Sequence, residues 1–195
     1  YKVYIIPNGV NFDEFKEVDQ IKKFKNLNKK VVLYVGRLES YKGINYIVEA
    51  LSKLNEEFIL EIVGKGPYKQ HIVRLANKLG TLHRIRFYQD LSRRELVKKY
   101  AKADVLVLPS KHEAYGLAVA EALAAKTPCI VAKEAALNEW IDDKSVFGVD
   151  NPADVEKLAE LIKNVVGISV VGSDRLMSWE DIVVRIKQVY KTLYE

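Results

Sequence analysis

Glu113 and Glu121 stand on either side of Gly116 in the run Pro109-Ser110-Lys111-His112-Glu113-Ala114-Tyr115-Gly116-Leu117-Ala118-Val119-Ala120-Glu121-Ala122-Leu123. Ionised carboxylates are pure acceptors, with room for paired hydroxyl hydrogen bonds. The apolar strand pattern Val105-Leu106-Val107-Leu108 ends just before this run and a helical pattern follows Gly116. At such a strand-to-helix turn the amides of Tyr115, Gly116 and Leu117 are free to face an anion. Glu121 is flanked by Ala118, Val119, Ala120, Ala122 and Leu123, so its helix is apolar on most sides and its carboxylate needs a partner when buried. The chemistry that fits is capture of a polyhydroxylated anion, with Glu113 and Glu121 reaching hydroxyls at different depths of one crevice.

Cations gather at another strand end. Gly36-Arg37 follows Val31–Val35, and Lys42-Gly43 comes five residues after Arg37, so a forked guanidinium and a point-charge ammonium can approach one diphosphate from a single loop. Gly64-Lys65-Gly66-Pro67 follows the next strand; Lys69 stands where a dinucleotide fingerprint requires a third glycine, which argues against a dehydrogenase. Gly64 and Gly66 either let backbone approach a base or ribose or simply make a tight turn. Gln89-Asp90 and Lys133–Ala136 close two further strands. His112 neighbours the pocket, but no role is assigned to it. His71, His83 and His112 have no metal-ligand spacing, and no metal centre is expected.

Positioning these groups requires a parallel sheet. Apolar runs without strict alternation at Val31–Gly36, Ile59–Val63, Ile85–Tyr88, Val105–Leu108, Cys129–Val131 and Val146–Val149 read as strands buried on both faces. Between them, Ile44, Ile47, Val48, Leu51 and Leu54, and again Val155, Leu158, Ala159 and Ile162, recur at helical spacing. Ser92-Arg93-Arg94-Glu95 and Ser178-Trp179-Glu180-Asp181 are capping boxes, and Asn151-Pro152 reads as a cap followed by a first-turn proline. Gly167–Ser173 breaks the helical period before a last helix from Ser178 to Tyr194, in which Trp179, Tyr190 and Tyr194 are expected as core or docking residues. The fold class is α/β: a Rossmann-like six-stranded parallel sheet with helices on both faces. The five loops described above then fall at the carboxyl ends of the strands, where such sheets bind ligands.

Composition narrows the classes. With 195 residues, 49% hydrophobic and 29% charged, the chain is an ordinary globular mixture. Its apolar runs are far below the roughly 18 residues a membrane span requires. A lone cysteine, Cys129, excludes a disulfide framework and suits a reducing cytoplasm, the expected location. A net charge of +5 could attract polyanions, but acids are interspersed with the bases, so no nucleic-acid partner is expected. The amino terminus has neither Met nor a signal pattern, and an upstream portion is expected to be missing.

These residues resemble the nucleotide-sugar half of retaining GT-B glycosyltransferases, particularly glycosyltransferase family 4 (group 1). Ile6-Pro7-Asn8-Gly9-Val10-Asn11 is similar to that family's interdomain linker, Val35-Gly36-Arg37-Leu38 with Lys42-Gly43 to its phosphate loop, Ile62–Pro67 to its second turn, and Glu113 through Glu121 to its Glu-x7-Glu signature. The resemblance implies residues 1–15 as linker remnant, 16–177 as the nucleotide-sugar domain and 178–195 as the closing helix of the fold's C-terminal half. It implies Arg37 and Lys42 on the donor diphosphate, Glu113 on donor-sugar hydroxyls, Glu121 on the ribose, and Asp90 and Leu91 beside the base. The substrate is then a UDP- or GDP-linked sugar in a hexosyltransferase-like reaction, with no cofactor. The partners implied are a missing N-terminal acceptor domain and, for the full-length protein, a peripheral membrane contact; this half alone would bind donor without turnover. Two departures stand out: Ala135-Ala136 replaces a common Gly-Gly, so a loop of different conformation or donor contacts is expected, and Tyr115 replaces a commoner phenylalanine. Two other readings are a sugar-nucleotide epimerase domain, disfavoured by the Arg37/Lys42 loop, and a non-catalytic nucleotide- or nucleic-acid-binding module, disfavoured by carboxylates that would repel a polyanion.

Overall fold

A computed structural model describes residues 3–24, 28–170 and 175–194, without side chains at 193 and 194. Six strands, β1 (Lys30–Val35), β2 (Phe58–Val63), β3 (Ile85–Tyr88), β4 (Val105–Leu108), β5 (Cys129–Ala132) and β6 (Val146–Val149), form one sheet in the order β3-β2-β1-β4-β5-β6. Every pairing is parallel. The six strands expected from the sequence are all present, with ends moved by at most one residue. β4 and β5 are buried at every position, as central strands covered on both faces must be.

Among the described residues seven α-helices accompany the strands: α1 (Val18–Lys23), α2 (Ile44–Ser52), α3 (Lys69–Lys78), α4 (Arg93–Lys102), α5 (Leu117–Ala124), α6 (Val155–Val165) and α7 (Trp179–Tyr194). Successive connections run outward from β1 to β3 through α2 and α3, then return from β3 to β4 through α4. Right-handed crossovers in opposite directions put the helices on opposite faces. Accordingly, α2 packs against α3 and α6, and α4 against α1 and α5. The direction reverses between β1 and β4, which makes the carboxyl ends of those strands a topological switch point.

Both expected capping boxes form: Ser92 and Glu95 satisfy one another's amides at the start of α4, and Ser178 does the same with Asp181 at α7. The Asn151-Pro152 cap does not hold. Asn151 instead caps a turn through the Ala153 amide, and α6 starts three residues later, where Asp154 accepts from the Lys157 amide. Trp179 and Tyr190 are corrected as core residues, since they are 48% and 59% exposed on α7 beside exposed Val183 and Val184. The side chain of Tyr194 and residues Val171–Ser173 of the expected break lie outside the described residues. Helix α1 has a single buried residue, Val18, which is why no apolar periodicity announced it.

Candidate functional site

Loops from the carboxyl ends of β1, β2 and β3 are stitched edge to edge. The Gly36 amide donates to Val63 O at 3.0 Å, Gly64 to Tyr88 O at 2.9 Å, and Leu38 to Lys65 O at 3.0 Å; Tyr68 returns a bond to Leu38 O. A Cβ on Gly64 would overlap the Gly36 carbonyl and one on Gly66 would overlap that of Leu38. Both glycines are therefore accounted for by the approach of one loop to the next. The resulting cleft of about 330 Å³ is lined by Gly36, Arg37, Gly64, Lys65, Asp90 and Leu91, so five candidate residues come together here. Asp90 adopts φ 52° and its carboxylate takes a bond from Lys65 at 3.0 Å. Arg37 extends into solvent and meets Glu39 at 2.9 Å, while its carbonyl accepts from the buried Tyr34 hydroxyl.

A second cleft, about 440 Å³, is lined by Tyr41, His112, Glu113, Ala114 and Ala135. Its back wall is a loop junction. The Ser40–Lys42 turn ends at Gly43 in the left-handed region, φ 70°, where a Cβ would overlap the Pro109 carbonyl. Tyr41 O accepts from the Lys111 amide at 3.1 Å. This docking buries Lys42, whose ammonium donates to Glu113 Oε1 at 2.5 Å and to His112 O at 3.2 Å. Burial, then the Glu113 charge, drive the Tyr34 phenol far above its ordinary range, so it stays a donor.

Gly116, φ 91°, caps α5; its carbonyl accepts from the Val119 amide at 2.9 Å, which leaves the Leu117 and Ala118 amides at the helix start without intrahelical carbonyls. Its position is held from behind by Trp140, whose indole donates to Tyr115 O at 2.6 Å. The Tyr115 hydroxyl donates to Asn8 O at 3.1 Å, tying the amino-terminal segment to this turn. A phenylalanine could not make that bond. Ala135 adopts φ 48°, so the alanine that replaces the common glycine keeps a left-handed conformation at the lip of the second cleft, at a cost of about 1–2 kcal/mol.

Glu121 is not waiting for a ligand to satisfy it. One oxygen accepts from the Tyr100 hydroxyl at 2.8 Å, the other from Arg93 Nη1 at 2.5 Å, and Arg93 Nε donates to Glu14 at 2.5 Å. Desolvation opposes the Arg93 charge, but its bonds to Glu14 and Glu121 outweigh it and raise the guanidinium further. Burial, and then Glu121, keep the Tyr100 phenol protonated well above its usual range.

Arg93, Tyr100 and Glu61 escaped the sequence reading. Arg93 reads in the sequence as an interior position of a capping box, and Tyr100 as a tyrosine with no local motif around it. Glu61 carried a visible signal, a carboxylate inside the strand Phe58–Val63. It accepts from Lys99 at 3.1 Å through each oxygen and from the Tyr88 hydroxyl, a closed network on the sheet face. Among the described residues, no helix is long and apolar enough to cross a membrane, and no group of three His, Cys, Asp or Glu side chains is placed to hold a metal ion.

A six-stranded parallel sheet clad by helices, with its strand order reversing between β1 and β4, is an α/β domain of the GT-B type, and solved glycosyltransferases share its fold. Sucrose-phosphate synthase from Thermosynechococcus elongatus superposes with a TM-score of 0.85 over 98% of this chain and 52% of that one, at 26% identity. Anabaena HepE, solved in complex with UDP-glucose, gives 0.78 over 98% and 57%, at 19% identity. Residues 15–168 match the family model "Glycosyl transferases group 1", and the chain belongs to that family. An uncharacterized glycosyltransferase of Methanocaldococcus jannaschii is 30% identical across the whole chain and 55% of its own length, and glycogen synthase of Mycobacterium tuberculosis is 30% identical over 82% and 42%. The chain thus spans about half the length of the relatives it matches.

Proposed function

We propose that this chain is the donor-binding, C-terminal domain of a retaining GT-B glycosyltransferase of family 4, moving a hexose from a UDP- or GDP-sugar to an acceptor held by a second domain. The observation that carries the reading is the Lys42–Glu113 pair, whose carboxylate lines the second cleft while Arg37 lines the first. An ammonium neutralised by a nearby carboxylate can be claimed by a diphosphate of higher charge. Glu113, released or shared, then turns to donor-sugar hydroxyls. Arg37 folds in from solvent, and the α5 amides take the second phosphate. In a retaining transfer the bond from the anomeric carbon to the diphosphate oxygen breaks and the acceptor oxygen bonds to that carbon on the same face. Charge develops on the leaving oxygen, and Lys42, Arg37 and the amides stabilise it there. The acceptor hydroxyl's proton passes to the departing phosphate. Asp90 and Leu91 flank the base, and Glu121 takes the ribose.

Residues 1–15 serve as linker, 16–177 as the nucleotide-sugar domain, and 178–195 as a closing helix in this reading. The exposed Trp179, Val183, Val184 and Tyr190 on α7 give the acceptor domain an apolar seat. That UDP-glucose is bound by Anabaena HepE, a structural neighbour, lends support to a nucleotide-sugar ligand. Calorimetry with nucleoside diphosphates and their sugars tests the proposal. Arg37→Ala and Glu121→Ala each weaken the best ligand by about tenfold or more, the worth of a charge-assisted hydrogen bond. Undiminished affinity in both variants would remove the site.

A further inference from the structure

We infer that Arg93 is a positioning residue for the nucleotide: it fixes the Glu121 carboxylate and joins it to Glu14 of the amino-terminal segment. This rests on the reading of Glu121 as the ribose-binding carboxylate.

The argument starts from acceptor counting. A carboxylate offers about four lone-pair positions. Tyr100 occupies one on one oxygen of Glu121 and Arg93 one on the other, which leaves an accepting position on each. Two adjacent acceptors on one planar group match a vicinal diol, the hydroxyl pair of a ribose. Glu121 can hold that orientation because both anchors come from α4, a capped helix ten residues long. Without them, a glutamate side chain would sample several rotamers and bind a diol only after losing that freedom.

Arg93 is itself held on three sides. Nε donates to Glu14, Nη1 to Glu121, and the guanidinium lies 5.8 Å from the centre of the Phe15 ring. Glu14 belongs to the 3-10 turn Phe12–Phe15, capped by Asn11 and pinned by buried Phe15. An exposed ion pair contributes little, and this one is partly exposed. Its value lies in direction: a planar fork engages two carboxylates along different N–H vectors, which a lysine ammonium does not reproduce. The same fork links the segment entering the domain to the helix that carries Glu121. Nothing else in the proposed chemistry uses Arg93, and among the described residues its hydrogen bonds go to Glu14 and Glu121, not to the proposed diphosphate-binding groups.

The test compares UDP and GDP with their 2′,3′-dideoxy counterparts and with inorganic pyrophosphate, by calorimetry, on the protein and its Arg93→Ala and Arg93→Lys variants. In the unaltered protein the preferred nucleotide binds about tenfold or more tighter than its dideoxy form, as two hydroxyl bonds to a charged acceptor require. Arg93→Ala reduces that ratio to about twofold, Arg93→Lys restores part of it, and pyrophosphate affinity stays within about twofold throughout. A ratio that survives in both variants overturns the positioning role and leaves Glu121 as the ribose ligand. Equal loss of nucleotide and pyrophosphate binding in both overturns it in favour of a general structural role. Should the unaltered protein not distinguish the dideoxy nucleotide, or bind neither nucleotide, the reading of Glu121 falls and the inference with it.

Discussion

Glu113 and Glu121 belong to one sequence motif but sit in opposite kinds of corner. Glu113 lies on a turn, against one loop cation, at the edge of an open cleft. Glu121 lies on a helix, bound through both oxygens by donors from a second helix. In the proposed reading the first partner is a group the donor diphosphate itself requires, whereas Tyr100 and Arg93 touch no phosphate and Arg93 also holds Glu14. Ligand binding at Glu113, as proposed, is thus an exchange of partners, whereas the binding proposed at Glu121 is an addition to a fixed acceptor. A single spacing pattern can encode both because the turn at Gly116 separates a loop carboxylate from a helical one.

The largest effect that would break this comparison is expected from Lys42→Ala. It removes the proposed diphosphate cation and leaves Glu113 partly buried without its partner, so about 3 kcal/mol of stability is lost along with the proposed donor binding. Urea unfolding measures it. Glu113→Gln, which keeps shape and one acceptor, costs less than half as much; equal losses would contradict the exchange picture.

Alkaline pH sharpens the contrast through the phenol beneath each corner. Tyr34 and Tyr100 both have folded pKa values raised above the unfolded one, so their contribution is complete below about pH 10 and fades as pH rises beyond it. Tyr100→Phe removes about 1.4 kcal/mol per pH unit from the slope of stability against pH above pH 10. An unchanged slope would mean that the Glu121 corner is open to water, not sealed. The smallest effect is at the lip of the Glu113 cleft. Ala135→Gly relieves the left-handed strain at φ 48° but loosens the unfolded chain, for a net gain of about 0.5 kcal/mol and a Tm rise of about 1–2 °C by calorimetric scanning. A lowered Tm would show that the alanine methyl is needed for packing.

The comparison also marks how far the sequence could be read. Strands buried on both faces betray themselves as short apolar runs, so all six were legible, and with them the edge where the loops meet. The motif residues were legible because glycine and charge are conspicuous at strand ends. What holds them was not. Arg93 and Glu121 are 28 residues apart and Lys42 and Glu113 are 71 apart, and nothing in local periodicity encodes such pairings. The burial argument for Glu121 correctly demanded a partner, yet Tyr100 and Arg93 already meet the demand. Pro152 misled for a physical reason: proline suits a first helical turn and a preceding turn equally well, and Asp154 offered the better cap.

A crystal soaked with the nucleoside diphosphate that binds best would address the account at its centre. The two phosphates should lie between Lys42, an inward-turned Arg37 and the amides following Gly116, with the ribose hydroxyls on Glu121 and the Lys42–Glu113 bond lengthened or shared. Phosphates seated elsewhere, for instance among the lysines around Glu61, with Lys42 and Glu113 still paired as before, would contradict it.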